Sequence, residues 1–158
     1  MAETERTAAG SALTKLILDL FRLNNRMLTS GDRLVAPLGL TSARWHVLGT
    51  IGASERPQPV AWLARDMGAN RQNVQRIVND LEGEGLVAFR TNPHHRRAQL
   101  VVLTDDGRKA YDAAMRLQAP WINNLADGLA VGDISTMHGV IMALRKKLEG
   151  NDDVEEQS

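Results

Sequence analysis

The 158-residue sequence predicts a mainly α-helical protein with one small β-hairpin. Apolar residues recur every three or four positions over most of the chain, which is the spacing of amphipathic helices. Two short apolar runs, at 86–91 and 99–103, flank a polar loop that contains Pro93, as is typical of a hairpin with an extended tip. Hydrophobic residues make up 43% of the chain, enough for the core of one such domain.

The first predicted helix covers residues 12–38, and Pro37 with Gly39 ends it. Its apolar face consists of Leu13, Leu16, Ile17, Leu20, Leu23, Met27, Leu34, Val35 and Leu38. Thr41 is a favourable N-cap for a second helix. Residues 52–59, which contain two prolines, are predicted to be a connector.

The third predicted helix, residues 60–67, ends at Gly68, and Asn70 can cap the fourth helix, residues 71–84. The fourth helix has one apolar face and an opposite face rich in Arg, Gln and Asn. The apolar face consists of Val74, Ile77, Val78 and Leu81, and the polar face of Arg71, Gln72, Asn73, Gln75 and Arg76.

Two more helices are predicted after the hairpin. Thr104, followed by Asp105 and Asp106, is a favourable start for the fifth helix, which is expected to bend at Pro120. The sixth helix has a near-heptad series of apolar residues, namely Ile134, Met137, Ile141, Leu144 and Leu148.

The third and fourth helices, with the short turn between them, form a helix-turn-helix. An α-helix fits the major groove of DNA, where Asn or Gln can pair with adenine and Arg with guanine. The hairpin that follows carries Arg96 and Arg97 at its tip, where they can reach phosphates or the minor groove. The order of these elements predicts a winged helix-turn-helix that binds double-stranded DNA.

The net charge of zero hides an uneven distribution. The chain has 19 Lys and Arg against 19 Asp and Glu, but five of the acidic residues and none of the basic ones lie in residues 149–158. Residues 1–148 therefore carry 19 basic against 14 acidic side chains. This mildly basic body is compatible with a nucleic-acid partner, and the acidic tail is expected to stay flexible and solvated.

Several function classes are disfavoured. The chain has no Cys, which excludes disulfides, a Cys-ligated zinc site and a thiol nucleophile. We identify no catalytic residues and no cofactor, because neither a Ser-His-Asp arrangement nor a Gly-rich phosphate loop is found. No signal peptide or membrane-spanning stretch is recognisable, so we expect a cytoplasmic protein.

Five short segments follow one another along the chain: LTSARW at 40–45, LA at 63–64, NRQNV at 70–74, LEGEGLV at 81–87, and RA to LTDDG at 97–107. Together they resemble the MarR family of bacterial transcriptional regulators, in register from about Leu13 to Leu148. The resemblance implies an obligate homodimer in which the first and the last two helices of each chain interlock. Each winged-helix lobe would then bind one half of a pseudo-palindrome.

On this basis we divide the chain into four parts. Residues 1–10 are a flexible N-terminus, residues 11–39 and 105–148 form the helical dimerisation region, residues 40–104 form the DNA-binding lobe, and residues 149–158 are the acidic flexible tail. The wing departs from the family in one respect, because His95 stands where family members usually have an Asp that buttresses the wing through an Arg. The missing buttress predicts a looser wing, and protonation of His95 would make it more cationic.

The candidate DNA contacts lie on the fourth helix and the hairpin. They are Asn70, Arg71, Gln72, Asn73, Gln75 and Arg76 on the helix, and Arg90, His94, His95, Arg96 and Arg97 on the hairpin. The alternative for the helix is an ordinary solvated face, and for the two wing-tip arginines an ordinary exposed loop. Metal binding by His94 and His95 is a further alternative, disfavoured because neighbouring strand residues point to opposite sides and no acidic cluster is near.

The resemblance also implies a crevice between the first two helices and the fifth, where family members bind small organic anions such as aromatic carboxylates or phenols. The candidate residues are Arg22, Met27, Arg44, Trp45 and His46. Trp45 would form a wall, and Arg22, Arg44 or His46 would meet a carboxylate. The alternatives are that Trp45 is a core residue and that His46 is a half-exposed histidine with no sensing role.

The sequence therefore predicts a dimeric DNA-binding transcriptional regulator, a repressor released by a small aromatic or acidic effector. Three alternatives stay open. They are a DNA-binding regulator without an effector, an interaction protein that keeps the fold but has lost DNA binding, and an enzyme.

Overall fold

The computed structural model describes residues 5–155, with side chains described up to residue 150. It confirms a mainly helical fold with a small antiparallel sheet. The chain divides into two units between Ala119 and Pro120. In chain order the elements are α1 (Ala8–Val35), α2 (Ser42–Ala53), β1 (Gln58–Pro59), α3 (Val60–Met67), α4 (Arg71–Gly83), β2 (Val87–Arg90), β3 (Leu100–Leu103), α5 (Asp105–Ala126) and α6 (Val131–Glu155).

Helix α1 begins earlier than predicted. Thr7 is its N-cap, and the Thr7 hydroxyl accepts a hydrogen bond from the backbone N–H of Gly10 at 3.0 Å. The helix therefore includes the end of the segment 1–10 that the sequence predicted to be flexible, because a Thr cap stabilises the free N–H groups of the first turn. At its other end, one 3₁₀ turn over Ala36–Leu38 leads to Gly39, whose φ of 70° turns the chain towards α2.

Helix α6 also extends further than predicted, to Glu155, and so overlaps the acidic tail of residues 149–158. One side-chain pair supports the extension, since Arg145 and Glu149 form an i,i+4 ion pair at 3.3 Å. Gly150 is a single weak helix former, which costs about 1 kcal/mol relative to Ala and does not end a helix. Residues 156–158 lie outside the described residues.

The sheet has the strand order β1-β3-β2, and both pairings are antiparallel. The hairpin predicted for the wing is formed by β2 and β3, and the structure pairs Val87 with Leu103 and Arg90 with Leu100. The short β1 pairs Gln58 with Val101 and lies within the predicted connector. A two-residue strand that contains Pro gives no alternating pattern, so sequence analysis had no signal for it.

The buried core lies in the first unit, where α2, α3 and α4 pack with the sheet. Its largest fully buried side chains are Val35, Val47, Leu48, Leu63, Val74, Val78, Leu81 and Val101. The apolar face predicted for α4 supplies three of these side chains, and Ile77 packs against the core half-buried. Burial of this face turns the opposite, polar face of α4 outwards.

Helices α1 and α2 meet closely at Gly31. A Cβ atom on Gly31 would lie 2.3 Å from the hydroxyl oxygen of Ser42. That hydroxyl donates to the carbonyl oxygen of Leu28 at 2.7 Å, and the Ser42 backbone N–H donates to the Asp32 carboxylate at 2.7 Å. Only glycine leaves room for these contacts, so Gly31 has a packing role.

The second unit comprises the end of α5 and all of α6. Helix α5 contains Pro120 and continues to Ala126. The apolar residues of the predicted α6 series are exposed or half-buried, and Leu148 is 66% exposed. None of the helices in the described part of the chain is long and apolar enough to cross a membrane.

Candidate nucleic-acid interface

Asn70 fixes the start of α4, the predicted recognition helix. Its side-chain oxygen accepts hydrogen bonds from the backbone N–H groups of Gln72 at 2.9 Å and Asn73 at 3.2 Å. The cap satisfies two N–H groups that have no partner within the helix. Asn70 is exposed, and with its oxygen engaged its amide nitrogen is the end that can face a partner.

The outer face of α4 presents the predicted polar side chains. Arg71, Gln72, Asn73 and Arg76 are exposed, whereas Gln75 is half-buried. The Gln75 amide nitrogen donates to the Asn79 side-chain oxygen at 2.9 Å, one helical turn further on. This bond orients the Gln75 amide before any partner is present.

Helix α2 holds the far end of α4. Arg44 of α2 forms ion pairs with Glu84, which directly follows α4, and with Asp80 at 3.9 Å. The Arg44 side chain is 25% exposed, so this contact is only partly shielded from water. Arg44 thus engages two of the three acidic side chains at this end of α4, and the Arg-, Gln- and Asn-rich part lies at the other end.

Asn92 ties the two sides of the wing loop together. It is buried, its side-chain oxygen accepts from the His94 N–H at 3.0 Å, and its amide nitrogen donates to the Ala98 carbonyl at 3.0 Å. The His95 N–H donates to the Asn92 carbonyl at 3.3 Å, and the Ala98 N–H to the His95 carbonyl at 3.1 Å. The loop without the family's Asp at position 95 thus has its own set of internal hydrogen bonds.

The wing tip is polar and open to solvent. His94, His95, Arg96 and Arg97 are all exposed. Among the described residues, no group of three or more His, Asp or Glu side chains is placed to hold a metal ion. The wing tip therefore offers two arginines and two imidazoles to a partner.

A groove of about 210 Å³ lies between α4 and the wing. Arg71, Gln75 and Asn79 of α4 line one side, and Phe89 and Arg97 lie on the wing side. The fold thus brings one guanidinium from the helix and one from the wing to the same groove. Such a groove favours a polyanionic partner with hydrogen-bonding groups.

Arg90 lies elsewhere. It lines a separate cavity of about 340 Å³ together with Arg108 of α5. Phe89, the residue before Arg90 in β2, lines the groove beside α4. Successive side chains of a strand point to opposite faces of a sheet, so Arg90 points away from that groove. The fold therefore does not bring Arg90 to the same groove as Arg71 and Arg97.

A cavity of about 550 Å³ lies in the first unit, lined chiefly by α2 and the middle of α5. The residues around it are Ser42, Trp45, His46, Gly49, Thr50, Ala53, Ser54, Gln58, Asp66, Tyr111 and Met115. Trp45 also packs against the core, so it is both a core residue and a wall of the cavity.

Three of the predicted cavity residues do not line this cavity. Arg22 is exposed and pairs with Asp19 at 2.9 Å, Met27 is half-buried on α1, and Arg44 is engaged at the end of α4. As described, the lining contains Trp45 and His46 of the predicted set and no Arg or Lys.

Asn79, Asn92 and Tyr111 contribute to these sites and are not among the residues that the sequence predicted for them. Asn79 lies four residues after Gln75, and this spacing was the available signal for a shared helix face. Asn92 precedes a Pro in a polar loop, a position typical of turns, and the sequence alone does not show that its side chain is buried. Tyr111 gives no separate signal on an amphipathic helix, yet its ring lies against Gly49, where an added Cβ would be 3.2 Å from Tyr111 Cε2.

Comparison with known proteins agrees with this architecture. A model of the MarR family matches residues 38–98. An uncharacterized protein of Mycobacterium tuberculosis, Rv2011c, is 38% identical over 117 residues, which cover 74% of this chain and 80% of that protein. The transcriptional activatory protein BadR of Rhodopseudomonas palustris is 30% identical over 138 residues, which cover 82% of this chain and 77% of BadR.

Solved structures show the same fold. The transcriptional repressor CouR bound to a 23-mer DNA duplex matches with a TM-score of 0.73 and 25% identity, covering 89% of this chain and 99% of that one. CouR from Rhodococcus jostii bound to p-coumaroyl-CoA matches with a TM-score of 0.72 and 22% identity, and the match covers 79% of this chain and 87% of that one. With its exposed recognition helix, its cationic wing and these relatives, the chain belongs to the MarR family and is a DNA-binding transcriptional regulator.

Proposed function

We propose that the protein is a cytoplasmic, dimeric repressor that binds a pseudo-palindromic operator and is released by a small aromatic or acidic effector. The observation that carries the DNA-binding part is the groove that both Arg71 of α4 and Arg97 of the wing line. Two cationic side chains on separate elements can both contribute to binding when the partner presents phosphates along a continuous surface, as DNA does.

The two elements have different tasks in this proposal. Gln72, Asn73 and Gln75 read base edges in the major groove, with Arg71 and Arg76 beside them on bases or adjacent phosphates. Arg96 and Arg97 hold the wing on the DNA backbone, and the imidazoles of the wing tip add contacts. Arg90 reaches a neighbouring phosphate from the other face of the wing.

The test is binding to the intergenic DNA upstream of the protein's own gene, measured by fluorescence anisotropy over a range of salt concentrations. We expect binding that weakens as salt rises, since neutralised phosphates release counterions. Arg96→Ala with Arg97→Ala should weaken binding on specific and random duplexes alike, with a shallower salt slope. Gln75→Ala should change which base is preferred at one position of each half-site.

Two results would count against this assignment. Absence of binding at low salt removes the DNA-binding proposal for this groove. An equal loss on all sequences for Gln75→Ala shows that Gln75 does not read a base, and leaves the backbone contacts as the source of affinity.

Dimerisation is supported by the exposed apolar side chains. Almost all of the large ones lie on α1, in the later part of α5, on α6 or in the turn between the last two helices, and the exceptions are Trp62 of α3 and Met115 in the middle of α5. They include Ile17, Leu18, Phe21, Leu23, Leu28, Ile122, Leu125, Leu129, Val131, Ile134, Met137, Val140, Met142 and Leu148. Exposed apolar surface on this scale is typical of a protein interface.

The effector is proposed to bind in the 550 Å³ cavity beside Trp45 and Tyr111. This volume is within the range of small-molecule sites. The side-chain oxygen of Gln58, a lining residue, is buried without a hydrogen-bond partner among the described residues, and a ligand could satisfy that amide. The similar protein CouR was solved with p-coumaroyl-CoA, an aromatic ligand with an acidic portion.

Repression itself needs a separate test, because BadR is named an activatory protein and CouR a repressor. A reporter gene under the upstream region should be more active when this protein's gene is deleted. Lower activity on deletion would assign activation instead and leave DNA binding untouched.

A further inference from the structure

Asn79 holds the side chain of Gln75 on the side of α4 that faces the wing. Arg71, Gln75 and Asn79 all line the groove, and their spacing of four residues places them along one stripe of the helix. The Gln75 amide nitrogen donates to the Asn79 side-chain oxygen at 2.9 Å. The sequence offered Gln75 as a base-reading residue, and the structure adds the partner that fixes its amide.

Burial restricts Gln75 further. It is half-buried in the groove, whereas Asn79 and the arginines of the α4 contact face are exposed. A free Gln side chain loses rotamer entropy when it is ordered by a partner. In this protein part of that loss occurs on folding, so less of it opposes DNA binding. Gln75 is therefore an amide whose orientation is set before DNA arrives.

The hydrogen bond to Asn79 decides which groups Gln75 can offer to a base. An amide nitrogen carries two hydrogens, and one of them is directed to Asn79, so one N–H and the oxygen are left. In the major groove adenine presents an amino donor beside the N7 acceptor, whereas guanine presents two acceptors. Cytosine presents one donor, and thymine one acceptor and a methyl group. One donor with one acceptor thus makes two hydrogen bonds with adenine alone.

We infer that Asn79 is a positioning residue that fixes the Gln75 amide for recognition of adenine, at one position in each half-site. The inference rests on the proposed function, in which Gln75 reads a base, and it names that base and the residue that determines the choice. Without Asn79 the amide can rotate and exchange its two ends, and its second N–H becomes available to the acceptors of guanine. Selectivity then falls more than total affinity, because phosphate contacts carry no base information.

The test begins with selection of bound duplexes from a random library by the full chain, followed by sequencing. The Gln75 position is the one at which Gln75→Ala changes the preference. Duplexes with each of the four bases or 7-deazaadenine at that position are then compared by fluorescence anisotropy at one salt concentration. We expect adenine to be bound at least about fivefold more tightly than the other three bases, since a bidentate contact discriminates by that much or more. The analogue 7-deazaadenine still pairs with thymine but lacks the N7 acceptor, and should bind more weakly than adenine.

Variants of Asn79 separate positioning from a merely structural role. Asn79→Ala should reduce the adenine preference to within about twofold of the Gln75→Ala value, since the geometry that gives the preference is lost. Asn79→Asp should retain it, because a carboxylate can only accept and so keeps the Gln75 nitrogen on its side. Its negative charge should weaken binding to all duplexes alike.

Two controls complete the design. Glu82→Ala should leave the preference unchanged, because Glu82 is an exposed residue of α4 that does not line the groove. The double variant of Gln75→Ala with Asn79→Ala should lose no more preference than Gln75→Ala alone, as two residues that act through one contact are not additive. Circular dichroism checks that each variant is folded.

The outcomes separate this inference from the proposed function. If no duplex is bound at low salt, both fail. If DNA is bound and the preference that depends on Gln75 is for another base, the adenine assignment is wrong and the proposed function stands. Asn79→Ala that keeps the preference, or Asn79→Asp that loses it, overturns the positioning role. A preference lost at a different position in Asn79→Ala also overturns it, by assigning Asn79 to direct contact with a base.

Discussion

Gly107 is the glycine at which an added methyl group would overlap most with a backbone atom. An ideal Cβ there would lie 1.8 Å from the backbone carbonyl oxygen of Leu86. The same carbonyl accepts from the Thr104 N–H at 3.1 Å, and the Thr104 hydroxyl donates to the Gly85 carbonyl at 2.6 Å. The first turn of α5 is thus fixed against the segment that leads into β2.

We expect Gly107→Ala to destabilise the fold by about 3 kcal/mol, at the upper end for overpacking, because a backbone atom must move. Chemical denaturation followed by circular dichroism measures the change. Gly83→Ala is the matched control, since nothing lies within 4 Å of its Cβ position. A loss of similar size in both variants would mean that the close approach to Leu86 is not the cause.

The side-chain amide of Asn92 bridges the wing loop, since its oxygen accepts from the His94 N–H and its nitrogen donates to the Ala98 carbonyl. Asn92→Ala leaves the His94 N–H and the Ala98 carbonyl oxygen without these two partners. We expect a loss of about 1–3 kcal/mol in unfolding free energy, and weaker DNA binding because Arg96 and Arg97 are no longer held. Unchanged stability and operator affinity would show that the Pro-containing loop keeps its shape without Asn92.

At the scale of elements, the orientation of α4 depends on contacts at both of its ends. Its apolar face packs in the core, Asn70 caps its start, and Arg44 of α2 pairs with Glu84 beyond its end. These contacts leave the face with Gln72 and Asn73 open. Helix α2 also lines the 550 Å³ cavity beside Trp45, so the proposed effector would contact the helix that holds α4.

A double-mutant cycle on Arg44 and Glu84 tests this coupling. Because both side chains are partly exposed, we expect a coupling energy of only about 0.3–1 kcal/mol. Arg44→Ala and Glu84→Ala should each reduce operator affinity by misplacing α4, and the double variant should lose little more than either one. Strictly additive losses would show that the pair does not couple α2 to α4.

At the scale of the whole molecule, DNA recognition by the proposed dimer requires two lobes at the spacing of two half-sites, about 34–36 Å. The exposed apolar residues of α1 include Phe21, which is 65% exposed. In the proposed dimer such side chains are covered by the second copy.

Phe21→Asp should therefore shift the protein from a dimer to a monomer of 17.4 kDa in sedimentation velocity, and should lower operator affinity. Trp62→Asp, at an aromatic residue of α3 that is 56% exposed, is the control and should stay dimeric. A Phe21→Asp variant that stays dimeric would remove this part of α1 from the interface. Monomeric unaltered protein would refute the dimer itself.

Local sequence determined much of this protein. The apolar period of α4, the caps Thr41 and Asn70 and the polar loop between two apolar runs each depend on residues close together in the chain. The helices and the hairpin were predictable for that reason. The order of these elements and the Arg, Gln and Asn residues at the start of α4 then indicated DNA binding.

Tertiary structure decided the contacts between distant residues. Arg44 is one of the residues predicted for the effector crevice, and in the structure it pairs with Glu84, 40 residues away. The strand β1 exists only through its pairing with β3, and the packing of α5 against the hairpin brings Arg90 and Arg108 to the same cavity. An apolar residue that fills the core and one that lines a cavity look alike in one dimension, because only the packing of other elements decides which space is left open.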